Sequence, residues 1–365
     1  MMAAIQAFLP DQGIQQKVGG HRQGTLDRLA FPLDTGVPGL NLSFTRATWC
    51  RMVSIHPATG TAGISSALCW KAVANLGKRD LETRDCAYFP EGVYYGPQVQ
   101  KGAATMLVLQ FPGASRNYYL TSAEIAETTA ALKAAGGVFD KGVYRGRASD
   151  GRPQNKDGYE ALWEAHQQRK LVYPEPRYAD FVVMKPDHFA WLPDPCRPGL
   201  EVKRLGSFTE YGTSATLLRF RPGATIESDS LVAPELRYVL TGALSYSGQE
   251  YPAGSCLYLQ ASQPIGPIAS PDGAELYVLT LPMFRAGADL AADAARHVGS
   301  AVRGRRPGRC SGGLRSSSSV CLTFVGHAQE RDAHPGRPGD RHTGGQPCLH
   351  RPRPGLLQAI EKHAA

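Results

Sequence analysis

The sequence predicts a mainly β protein, two jelly-roll barrels with a short helical insertion between them. Three observations carry that prediction. A β-patterned stretch recurs 170 residues downstream, with "CAYFPEGVYYGP" at 86–97 falling on "CLYLQASQPIGP" at 256–267. Short runs of β-forming residues alternate with Gly and Pro turns in both copies, as in "LRYVLTGALSYSGQEYPAGSCLYL" from Leu236 to Leu259. Between the copies the texture changes to one that favours helices.

The repeat is the firmest of the three. At one offset Cys86 meets Cys256, Tyr88 meets Tyr258, Gly96 meets Gly266 and Pro97 meets Pro267. The following strand keeps the register, matching Val108, Leu109 and Pro112 to Val278, Leu279 and Pro282. All of these fall on strand or turn patterns, so one β-unit occurs twice.

The order along the chain follows. Residues 1–25 form an N-terminal extension and 26–120 the first barrel. Residues 121–200 are the helical insertion and linker. There "TSAEIAETTAALKAAGG" offers Thr121 or Ser122 as N-cap, Glu124 in the first turn and Gly136 as a stop. A second helix is expected within "GYEALWEAHQQRKL", from Gly158 to Leu171. Residues 201–288 form the second barrel and 289–365 a basic tail.

Composition bounds the partners. A chain of 365 residues has room for two domains with cores of their own. The start, "MMAAIQAFLPDQGIQQK", lacks a charged head followed by an apolar core, so no secretory signal is expected. Eight cysteines without a CxxC pair fit reduced thiols, and a cytoplasmic protein is expected. Arg296 to Arg353 holds 11 Arg, no Lys and 3 acidic residues, which accounts for the whole formal charge of +8. The remaining body is neutral and shows no basic face for nucleic acid. The tail, rich in Gly, Pro, Ser and Arg, reads as a disordered basic arm or as a non-native extension.

These residues resemble the cupin superfamily, and two-domain bicupins in particular. The second cupin motif reads "RDCAYFPEGVYYG" at 84–96 and "GSCLYLQASQPIG" at 254–266. The first is recognisable as "PGATIESDSLVAPELRYVLTG", from Pro222 to Gly242. The resemblance implies a barrel interior where three His and one Glu hold a metal ion. Carried onto this chain, those positions are Ser228, Ser230, Glu235 and Ile265 in the second barrel, and Tyr95 at the last position of the first. One carboxylate and one phenol do not make a transition-metal site. No metal and no cofactor are therefore expected. His56, His166 and His188 have no ligand-like spacing and read as ordinary polar residues.

Residues 57–72, "PATGTAGISSALCWKA", stand where the first barrel's ligand strand belongs. In the frame that starts at the third base of each codon, Cys69–Trp70 must give Leu and Trp70–Lys71 must give Glu. The preceding codons permit "RHRHRWDQFRFV", which restores a His-x-His. Residues 48–75 thus read either as a frameshifted segment or as a flexible loop that replaced a strand. Both readings predict short or absent pairing there and an exposed sheet edge.

The function expected is a metal-free bicupin that binds a small molecule or serves as a structural barrel. Its candidate pocket is Tyr95, Glu235 and Arg237, the last two expected on one face of a strand, either open to a ligand or paired as an internal salt bridge. The alternative is a metal-dependent dioxygenase or isomerase whose His-x-His strand is hidden by the frameshift. A small-molecule ligand and self-association are the partners that the resemblance implies; nucleic acid and membrane are not.

Overall fold

Fourteen strands and two helices organise the body of the protein. In chain order these are β1 (Ile5–Phe8), β2 (Ile14–Val18), β3 (Leu26–Phe31), β4 (Ser43–Trp49), β5 (Ile64–Lys71), β6 (Cys86–Phe89) and β7 (Ala104–Phe111). Then come α1 (Ser122–Ala134), α2 (Gly158–Gln167), β8 (Val182–Met184), β9 (Leu192–Pro193), β10 (Leu200–Ser207), β11 (Ser214–Phe220), β12 (Glu235–Tyr246), β13 (Cys256–Leu259) and β14 (Ala274–Thr280). Further strands complete the barrels and the insertion. The computed structural model describes residues 5–22, 26–35, 42–49, 54–56, 59–100, 102–115, 117–147, 151–208 and 212–281, without the side chains of 54–60. They all lie within one compact unit, Met1–Arg303. The tail expected to be disordered lies outside the described residues.

The two large sheets share one topology. The first runs β8-β6-β5-β7-β4-β3-β2 and the second β1-β13-β12-β14-β11-β10-β9. The match extends to short strands 170 residues apart, Tyr94–Tyr95 with Pro264–Ile265 and Gln98–Gln100 with Ile268–Ser270. A cis Gly–Pro bond precedes both Pro97 and Pro267.

The edge strands are exchanged. β1, from the part read above as an N-terminal extension, pairs with β13 of the second sheet. β8, from the linker, pairs with β6 of the first. Each barrel is therefore completed by chain that precedes the other.

The sheets pack face to face through one apolar layer that draws on both. Tyr88 and Phe208 stack across it with ring centroids 3.6 Å apart and planes 5° apart. Tyr277 Oη hydrogen-bonds Ser66 Oγ at 3.0 Å and contacts Cys86 Sγ at 3.2 Å. Arg84 reaches across to Glu275 as an ion pair.

β5 corrects the expectation drawn for residues 48–75. It is a central strand, paired to β6 and to β7, and it is buried along most of its length. Ile64, Ser66 and Leu68 face the second sheet, while Ser65, Ala67 and Cys69 face the first barrel's own interior. A strand covered on both faces shows no polar–apolar alternation, which is why its pattern read as a loop. Its serines are tolerated because each hydroxyl has a partner, Ser66 on Tyr277 and Ser65 on Tyr119 Oη at 2.8 Å.

The insertion folds as its signals predict. Thr121 caps α1 by accepting from the Glu124 backbone N–H, and the Glu124 carboxylate accepts from the Thr121 N–H in return. Asp157 caps α2 by accepting from the Tyr159 and Glu160 N–H groups. α2 buries Leu162 and Trp163 against the first barrel's flank, and the Trp163 indole N–H donates to the Tyr118 carbonyl at 2.9 Å.

Candidate functional site

The repeat allows the two barrel interiors to be compared position by position. In the second barrel, β12 turns Glu235 and Arg237 inward. Arg237 donates from Nε and Nη2 to one Glu235 oxygen at 3.0 and 2.9 Å, and Asp229 stands 3.8 Å from the same guanidinium. Arg197 extends the chain of charges, bonding Asp229 at 3.0 Å and Asp194 at 2.6 Å. The remaining inward positions are aliphatic, including Val202, Ile265 and Ile268, all buried. This interior is filled.

The first barrel differs at the same places. Ser65 and Ala67 occupy the positions of Glu235 and Arg237, since Phe89 opposes Ser65 as Leu259 opposes Glu235. Tyr95 replaces Ile265 and Gln98 replaces Ile268 at the same offset of 170. Arg28 replaces Val202: Arg28 and Met106 both oppose Ala47, just as Val202 and Leu276 both oppose Leu218. Short side chains where the other barrel has long ones leave space. Two adjoining chambers of about 60 and 80 Å³ result.

Arg22, Arg28, Tyr95 and Gln110 line both chambers. The smaller adds His21, Tyr119 and Tyr159, with Ile125 of α1 and Leu120 completing the wall, so the helical insertion helps to close it. The larger adds Ser65, Gln98 and Trp49 among apolar residues that include Leu26, Leu76, Phe89, Met106 and Val108. Arg28 Nε and Trp49 Nε1 are buried without a hydrogen-bond partner. Arg22 stands 6.0 Å from the Tyr159 ring centroid.

The electrostatics are one-sided. No described carboxylate is paired with Arg22 or Arg28, whereas Arg237 in the second barrel bonds Glu235 and stands near Asp229, with only its Nη1 left without a partner. Burial, with Arg22 nearby, draws the Arg28 pKa down. Burial likewise holds His21 at about 3, with Arg22 adding to the effect, so its ring is neutral at ordinary pH. Burial also pushes the Tyr119 and Tyr159 phenols upward, keeping both as neutral hydrogen-bonding groups.

The predicted pocket residues lie in two places, one in each barrel. Tyr95 lines the first barrel's cavity, while Glu235 and Arg237 bond to each other inside the second. Ser228 and Ser230 are exposed and Ile265 is buried, so these positions do not converge as ligands. His166 contacts Glu124 at 3.2 Å and His188 lines an open groove with Arg79, Met184 and Lys185. His56 lies on a short strand whose side chains are outside the described residues. Among the described residues, no three His, Cys, Asp or Glu side chains gather in a way that could hold a metal ion. The donor set at the cupin positions does not fit one: the single carboxylate is taken by Arg237, and the first barrel offers hydroxyls and an amide.

Residues 179–284 match the ChrR cupin-like domain. That match spans the second barrel together with the strand β8. A solved candidate dioxygenase from Nostoc punctiforme is similar over 78% of this chain and 85% of its own, with 14% identity and a TM-score of 0.53. At that identity the likeness is one of fold alone. HEPD of Streptomyces albus, solved with 2-hydroxyethylphosphonate and Fe(II), is 12% identical over 81% of this chain and 79% of its own, TM-score 0.48. A variant of Bacillus subtilis oxalate decarboxylase is 13% identical over 77% and 78%, TM-score 0.45. Among curated proteins none matches the sequence significantly.

Sequence reasoning missed Arg22, Arg28, Trp49 and Gln98, because none lies in a cupin motif. One signal was available. At the repeat offset, Tyr95 against Ile265 and Gln98 against Ile268 set polar residues against aliphatic ones at inward positions. No helix among the described residues is long and apolar enough to cross a membrane.

Proposed function

We propose that the chain is a bicupin that binds a small organic molecule in the first barrel without a metal ion, the second barrel serving as its structural half. One observation carries this reading: equivalent interior positions are polar around a cavity in one barrel and aliphatic or ion-paired in the other. A pocket lined mainly by apolar and aromatic groups, with a few convergent polar ones, is the usual form of a small-molecule site. The neutral body and the reduced-thiol pattern support a cytoplasmic protein that does not act on nucleic acid.

Metal analysis tests the reading. Protein purified without chelator should hold well under one equivalent of Fe, Mn, Ni, Cu or Zn, because a single imidazole, His21, among hydroxyls and amides, and one arginine-bound carboxylate in the other barrel, do not make a converging ligand set for these ions. One chelator-resistant equivalent overturns it, and His56, His166 and His188 are then the first residues to replace.

The rival reading is a metal-dependent dioxygenase, as suggested by the Nostoc protein's description, with its His-x-His lost to a frameshift in residues 48–75. It requires the gene to carry compensating shifts around codons 45–80. An uninterrupted reading frame there removes it.

A further inference from the structure

We propose that the first barrel's cavity takes a small carboxylic acid, its carboxylate held by Arg28 and Arg22 and its apolar body lodged in the larger chamber. The inference rests on reading this cavity as a ligand site and adds what the ligand must be.

Three features of the cavity point the same way. The first is charge. Two guanidiniums line both half-open chambers with no described carboxylate paired to either, and the undescribed residues between them, 23–25, contain no acid. Cations drawn into a protein interior are ordinarily paired, so Arg28 and the half-buried Arg22 beside it, with no acid paired to them among the described residues, present half of an ion pair. The fork of a guanidinium matches a carboxylate in two parallel hydrogen bonds.

The second is donor supply. Arg28 Nε and Trp49 Nε1 are buried N–H groups without acceptors. Buried donors are nearly always satisfied, and two orphans on one cavity call for an acceptor within it. The neutral tyrosines and Gln110 beside them supply further hydrogen bonds but no negative charge at ordinary pH.

The third is shape. Polar groups crowd the smaller chamber, while the larger is walled by Leu26, Leu76, Phe89, Met106 and Val108. Inorganic phosphate or sulfate would leave that apolar wall without a partner. An acid with a compact hydrocarbon body satisfies both ends. The chambers, about 60 and 80 Å³, only together come near the roughly 150 Å³ of an apolar cavity that accepts benzene, which limits the whole acid to about one ring and its carboxylate.

Benzoate and its neutral isostere benzamide provide the test, titrated calorimetrically into the full-length protein with inorganic phosphate as a third arm. Benzoate should bind at one site per chain, at least tenfold tighter than benzamide or phosphate. Arg28→Gln should weaken benzoate at least tenfold and bring it level with benzamide. The comparison between probes needs only the unaltered protein, so it stands even if that variant does not fold. Equal binding of benzoate and benzamide overturns the anion and leaves the cavity as a ligand site. Phosphate binding as tight as benzoate overturns the carboxylic acid in favour of an inorganic or phosphorylated ligand. Failure of all three probes to bind overturns both this inference and the ligand site itself.

Discussion

Glu235→Ala should cost about 3 kcal/mol of folding stability, the lower end of the range for stripping one partner from a buried ion pair. Arg237 is 1% exposed and donates twice to Glu235, so the substitution leaves a cation inside a barrel with Asp229 3.8 Å away as its nearest remaining acid. That residual contact keeps the loss at the lower end. Removing both charges, as in Glu235→Leu with Arg237→Met, should be close to neutral, because a hydrophobic pair of similar volume avoids the desolvation cost altogether. Urea denaturation of the three proteins gives the comparison. A single variant within about 1 kcal/mol of the parent, the typical worth of an exposed pair, would mean that Glu235 and Arg237 are solvated and available to a ligand.

Leu68→Ala should be comparably damaging, at about 2–5 kcal/mol. Leu68 is fully buried on the central strand β5 and packs in the layer between the two sheets. Truncation leaves a void that neither sheet can close without breaking the β5 ladders to β6 and β7. In a chain of this size the melting temperature should fall by roughly 2–4 °C for each kcal/mol lost. The result also bears on residues 48–75. A loop or a misfolded frameshifted segment would tolerate alanine at 68 with a change of under about 0.5 kcal/mol, as surface sites do.

What the sequence made legible depended on repetition and on local chemistry. The offset of 170 paired strands that do occupy equivalent places, Cys86–Phe89 with Cys256–Leu259 and Ala104–Phe111 with Ala274–Thr280. The capping residues Thr121 and Asp157 start helices because their oxygens satisfy backbone N–H groups wherever the chain is found. Tertiary facts were less visible. Ile5–Phe8 and Val182–Met184 are too short to announce which sheet they join, and only packing shows that they are exchanged. "ISSALCWK" gave no strand signal because both its faces are covered and its serines are satisfied by tyrosines distant in sequence. The cupin motif points to Glu235, whose carboxylate is occupied by its neighbour Arg237. The cavity instead rests on Arg28, a residue outside any motif, whose burial no local pattern predicts.

The claim that one barrel is hollow and the other filled is tested most directly by adding volume to each. Ala67 lines the first barrel's cavity, and Val239 is fully buried in the second barrel's aliphatic interior. Ala67→Val places two methyl groups into open space on a strand that suits a β-branched residue, so stability should hold or rise by about 0.5–2 kcal/mol. Val239→Phe forces a ring into a packed interior and should cost about 1–3 kcal/mol. The measurement is the difference in unfolding free energy between these two variants under identical conditions. A gain or no change at 67 beside a loss at 239 is the predicted result, and a loss at 67 as large as that at 239 would contradict the account.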